Sequence, residues 1–157
     1  MIKPNLVFGF FVDNLLGDLQ ATIDAAKTPN GAVYPVGSVV QLVPTEVMIK
    51  REKGYNAVTK DWEFFELDVS AKGSEIKVRG AFEVVNKFGG NCFGCHIKAK
   101  PQWDLICEQE HGCDPITLPN GMVLSQHTIK AVQKADPRCV TKEQQQVRKA
   151  LEQVSAS

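Results

Sequence analysis

The chain has 157 residues, enough for one domain with a real core and few for two. Its apolar fraction of 43% and charged fraction of 23% are those of an ordinary globular protein. Eighteen acidic and eighteen basic residues cancel, so nothing predicts a nucleic-acid partner or an acidic tail.

The first apolar run, "LVFGFFV" at 6–12, is too short to span a bilayer. It also lacks the flanks of a signal peptide: one lysine precedes it, and "DNLLGDLQ" follows where a small-residue cleavage site belongs. Residues 11–26 place Leu15, Leu19, Ile23 and Ala26 on one stripe and predict a helix, broken by Pro29, Asn30 and Gly31. "VYPVGSVVQLV" at 33–43 is rich in β-branched residues and predicts a strand kinked near Pro35 and Gly37. "PTEVMIKREKGYNAVTK" predicts a short helix followed by a loop. From Asp61 the period becomes two: Phe65, Leu67 and Val69 alternate with Glu66 and Asp68, and Ile76 and Val78 with Lys77 and Arg79. Residues 62–79 therefore predict a hairpin, and "AFEVVNKF" a third strand.

Next comes "NKFGGNCFGCHIKAK", in which Cys92, Cys95 and His96 spell C-x-x-C-H. Pro101 then suits the first turn of a helix over "QWDLICEQE", "DPITLPNG" is loop, and "SQHTIKAVQKA" is a helix stopped at Asp136 and Pro137. "TKEQ" from Thr141 has capping-box spacing, with Val147, Leu151 and Val154 as the stripe of a terminal helix. The predicted class is α+β, with a central antiparallel sheet flanked by N- and C-terminal helices.

C-x-x-C-H is the spacing of haem c attachment. Two thiols must reach the two vinyl groups on one porphyrin edge, and the next histidine can supply an axial nitrogen. On that reading haem c is held through Cys92 and Cys95, with His96 as the metal ligand. Two other chemistries stay open. A thioredoxin-like C-x-x-C would open a helix in a βαβ unit, whereas antiparallel strands precede this one. A zinc site would need a second ligand pair, and Cys107 and Cys113 are spaced widely for a knuckle, with His111 between them.

Of the remaining cysteines, Cys107 and Cys113 frame "CEQEHGC", where a glycine lets the chain fold back. A disulfide closing so short a loop adds about 2 kcal/mol of stability. Two buried thiols are the alternative, and Cys139 is left over.

"YPVGSVVQLVPTEVMIKR", "DWEFFELDVS" and "VRGAFEVVNKFGGNCFGCHIKAKPQWDLICEQEHGCDP" together resemble the cytochrome P-460 family, sheet-based monohaem c-type proteins. The resemblance covers residues 33–137. It implies an N-terminal helical segment at 1–30, a haem domain at 31–140 and a C-terminal helix at 141–157. It also implies a periplasmic homodimer with the haem against the sheet, exported by a leader that this sequence does not show. Some members carry a lysine cross-linked to the haem and oxidise hydroxylamine; the beta-type cytochromes c-prime lack it and bind small gases in an apolar pocket. Lys50 is the candidate for such a link, although the strand where that lysine is looked for shows Gln41 and Leu42.

The expected function is the binding or conversion of small nitrogen species, nitric oxide or hydroxylamine, at an open distal position. The alternative is a six-coordinate electron-transfer cytochrome with Met48 or Met122 as sixth ligand, passing electrons to a redox partner protein. A haem protein without turnover is a third possibility. Phe64 and Phe65 are candidates for the distal wall, only one of which can face the iron because strand side chains alternate. Arg79 is a candidate for a haem propionate. Asp104 is a candidate either to orient the imidazole of His96 or to cap local structure. His111 and His127 are read as structural.

Overall fold

A computed structural model describes residues 5–7, 9–86, 89–109, 111–115, 117, 120–121, 123–139 and 142–155. Six strands form one antiparallel meander: β1 Asn5–Val7, β2 Phe10–Asn14, β3 Ser38–Gln41, β4 Glu46–Lys50, β5 Trp62–Ser70 and β6 Gly73–Gly80. Neighbours in sequence are neighbours in the sheet. Helix α1 (Leu19–Lys27) lies between β2 and β3, and α2 (Cys92–His96), α3 (Gln126–Lys134) and α4 (Lys142–Ser155) follow the sheet. The α+β class is as expected. No described helix is long and apolar enough to cross a membrane.

The register stacks one face of the sheet into rows. Val12 pairs with Val40, Val40 with Met48, and Met48 with Phe64. All four are buried, which makes a continuous apolar row across four strands. Two residues along, the same face turns polar. Asn14 pairs with Ser38 and Lys50 with Trp62, and all four are buried as well. Asn14 donates to Thr22 of α1 at 3.1 Å, and the Thr22 and Ser38 hydroxyls lie 2.8 Å apart, so α1 is tied to the sheet through this row.

Four elements differ from the sequence reading. Residues 10–14 are a strand, and the first helix starts only at Leu19. Gly17 sits at φ 88°, where a helix cannot pass, and the Asp18 side chain caps the new start by accepting from Ala21 N. Residues 46–50 are strand β4 and not a helix. The polar-apolar pattern hides the period because Lys50 stands on the buried face.

Residues 81–86, the described part of "AFEVVNKF", make a turn with one isolated bridge, Val85 to Asn91, in place of the expected third strand. Glu83 accepts from Ala81 N and diverts the chain there. Finally, the described part of "QWDLICEQE", residues 102–109, shares in a single helical turn, the 3-10 turn Pro101–Trp103, before Asp104 and Leu105 enter the left-handed region at φ 51° and 63°, and it ends in the short strand Glu108–Gln109. Tertiary hydrogen bonds to Asp104, described below, replace the bonds that would have continued a helix.

Candidate haem-attachment site

The C-x-x-C-H motif forms the short helix α2. Asn91 caps it, accepting from Gly94 N at 2.8 Å while its amide donates to the Phe82 carbonyl at 2.7 Å. Cys92 N donates to the Val84 carbonyl, so the helix entrance is stitched to the segment leaving the sheet. Cys92 is buried, Cys95 half-buried, and both are free thiols. Burial first, then the charges of Glu46 and Glu66, push the Cys92 thiol up to about 12. A redox-active C-x-x-C depends on a depressed thiol pKa, so this environment disfavours thioredoxin-type exchange.

His96 is half-buried, and its Nδ1 lies 2.6 Å from the Leu105 carbonyl oxygen. A carbonyl can only accept, so Nδ1 carries the proton and Nε2 keeps its lone pair. Desolvation lowers the pKa of the ring, opposed in part by the bond to Leu105. The imidazole is therefore neutral near pH 7, the form a metal ligand requires. The orienting acceptor is a backbone oxygen and not Asp104, whose carboxylate is taken by the Lys50 ammonium and by Tyr34 N.

A cavity of about 150 Å³ opens beside these residues, with Cys92, Cys95 and His96 in its lining. The sheet supplies Val40, Met48 and Phe64; α3 and the residue before its cap supply Thr128, Val132 and Leu124. Most of the wall is apolar, and Glu46 and Glu108 are its carboxylates.

Phe64 faces this space, its ring 5.3 Å from that of His96. Phe65 also borders it, yet its ring lies against the guanidinium groups of Arg51 and Arg79, at 5.8 and 4.9 Å. Arg79 is not in the lining; Glu63 engages it through two bonds of 2.7 and 3.0 Å. Lys50 stands one row from Met48 on the same face, outside the lining, with both carboxylate oxygens of Asp104 at 2.9 Å. Met48 is in the lining; Met122 and the side chain of Cys139 lie outside the described residues, as does Thr141 of the capping box.

Cys107 and Cys113 are joined, with 2.02 Å between sulfurs and 4.9 Å between Cα atoms. Gly112 next to them has φ 93°, and a Cβ there would collide with the Ile106 carbonyl, so only glycine fits this fold-back. His111 packs edge-on against Phe10 and Trp103, with its Nδ1 3.3 Å from a Glu108 carboxylate oxygen, while His127 is exposed.

Comparison with family models, curated proteins and solved structures returns no match. The site therefore has to be judged on its own donor set. Two free thiols separated by two residues and a histidine with a bare Nε2, all on one apolar cavity, fit thioether-linked haem. The cavity is smaller than a whole porphyrin, so the fit rests on donors and polarity and not on volume. Zinc finds less support, since no group of three or more His, Cys, Asp or Glu among the described residues could hold a metal ion.

Sequence reasoning had no access to the Leu105 carbonyl, because a backbone acceptor leaves no trace in residue type. Glu46 in the wall was within reach, since a correct strand assignment for β4 places Glu46 and Met48 on one face.

Proposed function

We propose that this chain is a c-type monohaem protein that binds or converts a small uncharged nitrogen species in the cavity between α2, α3 and the sheet. One observation carries the reading. His96, directly after the two thiols, presents a bare Nε2 because its Nδ1 is occupied by Leu105. Cys92 and Cys95 would attach the group, and His96 would be its proximal ligand. Bound there, haem c would supply an iron able to take a diatomic such as nitric oxide.

The chain's own contribution is the wall. Val40, Met48 and Phe64 exclude water, which favours neutral ligands, and Glu46 and Glu108 repel anions such as nitrite. Nitric oxide and hydroxylamine, neutral at pH 7, pass this filter. Because the Lys50 ammonium is engaged by Asp104, gas binding of the beta-type cytochrome c-prime kind is favoured over lysine-linked hydroxylamine oxidation. The reading places the protein in an oxidising compartment such as the periplasm, compatible with the Cys107–Cys113 disulfide. A homodimer remains the family expectation.

Met48 favours a second reading, a six-coordinate electron carrier serving a redox partner, because its side chain lines the same cavity. Expression in cells competent for haem c maturation tests both. Covalent haem on a denaturing gel, lost in Cys92→Ala/Cys95→Ala, supports the site; a wild-type chain without haem refutes it. A ferrous protein that binds carbon monoxide supports the open position. A low-spin spectrum indifferent to carbon monoxide, turned high-spin by Met48→Leu, supports the electron carrier.

A further inference from the structure

Asp104 and Leu105 are consecutive non-glycine residues in the left-handed region, at φ 51° and 63°. Each costs about 1–2 kcal/mol there and persists only where its surroundings hold it. Lys50 Nζ donates to both carboxylate oxygens of Asp104 at 2.9 Å, and Tyr34 N donates to one of them at 2.9 Å. Trp62, fully buried, donates its indole N–H to the Asp104 backbone carbonyl at 2.8 Å. The next peptide carbonyl is the one that accepts from His96.

We propose that Lys50, Trp62 and Asp104 are positioning residues that clamp the 104–105 backbone so that the Leu105 carbonyl selects the Nδ1–H tautomer of His96. Asp104 never touches the imidazole. It acts through the backbone, and a carbonyl so fixed holds Nε2 in its ligating form before any iron arrives. In haem-carrying protein the same hydrogen bond makes His96 a stronger donor, which favours the ferric state and lowers the reduction potential. The inference deepens the haem reading, though its first test does not need haem.

That test is ¹⁵N NMR of the imidazole of His96 in the full chain with Cys92 and Cys95 kept reduced. Trp62→Phe deletes the one indole donor and keeps an aromatic ring. Lys50→Met/Asp104→Ala removes both charges together, so neither is stranded. In folded variants the ratio of Nδ1–H to Nε2–H tautomer falls about fivefold to tenfold, the worth of one neutral hydrogen bond. An unchanged ratio in folded Trp62→Phe overturns the proposal, and that variant decides if the double one does not fold. Loss of covalent haem from the wild-type chain would refute the proposed function separately, leaving the tautomer result to stand or fall alone. Where haem is attached, the variants raise the reduction potential with haem content unchanged; an unaltered potential counts against the clamp.

Discussion

Strands β4 and β5 carry a carboxylate-cation cluster on each face, and the two are built differently. On the inner face Lys50 meets Asp104, with side chains only 9% and 3% exposed. The Lys50 ammonium also lies 5.1 Å from the Trp62 ring centroid, and burial followed by the Asp104 charge raises the pKa of the Tyr34 hydroxyl. On the outer face Glu63 meets Arg51 and Arg79, whose side chains are 31% and 51% exposed. One residue of offset along each strand separates the two, because Lys50 and Arg51, like Trp62 and Glu63, point to opposite sides. The inner pair has left water and must stay complete; the outer one keeps water as a partial substitute for either arginine. Position relative to the sheet, and not the type of charge, sets what each cluster can do.

The sharpest way to break this contrast is Asp104→Ala. It leaves the Lys50 ammonium buried without a counter-charge and should cost about 3–5 kcal/mol in urea unfolding. Lys50→Met/Asp104→Ala should cost less than the single change, and a double variant as damaged as the single one would show that packing, and not charge, holds the inner site. Next in size, Cys107→Ser/Cys113→Ser opens the loop that follows Leu105 and should cost about 2 kcal/mol. If that loop steadies the inner face, the fraction of His96 with Nδ1–H falls too.

On the outer face, Glu63→Gln should cost about 1 kcal/mol. Desolvation acts to raise the Glu63 pKa, but hydrogen bonds from Arg79 and Arg51 and their charges outweigh it and hold the carboxyl below 4.5. A carboxyl depressed in the folded state stabilises it above 4.5, and that contribution drains away as pH falls from 4.5 through the folded value. Thermal midpoints of wild type and Glu63→Gln should therefore converge on acidification below 4.5; parallel curves would contradict the outer cluster's role. The smallest effect is that of salt. Raising ionic strength should remove a few tenths of a kcal/mol from the outer cluster and leave the inner pair unchanged.

Much of the fold was legible. The hairpin of β5 and β6 showed its period of two, and α3 showed its stop. Strand β4 was hidden because its buried face ends in a lysine, and the reason for that lysine, Asp104, lies 54 residues away. The helix expected after Pro101 failed for the same cause, since Lys50, Tyr34 and Trp62 claim the polar groups of residue 104.

The candidate site divides along the same line. Cys92, Cys95 and His96 were readable because the chemistry of C-x-x-C-H lies in the spacing of side chains along one turn. The apolar row of Val12, Val40, Met48 and Phe64, the orientation of His96 and the commitment of Lys50 came only with the tertiary structure. Local spacing determines which donors can act together. Strand register and long-range hydrogen bonds decide where those donors point, because both depend on residues far apart in the chain.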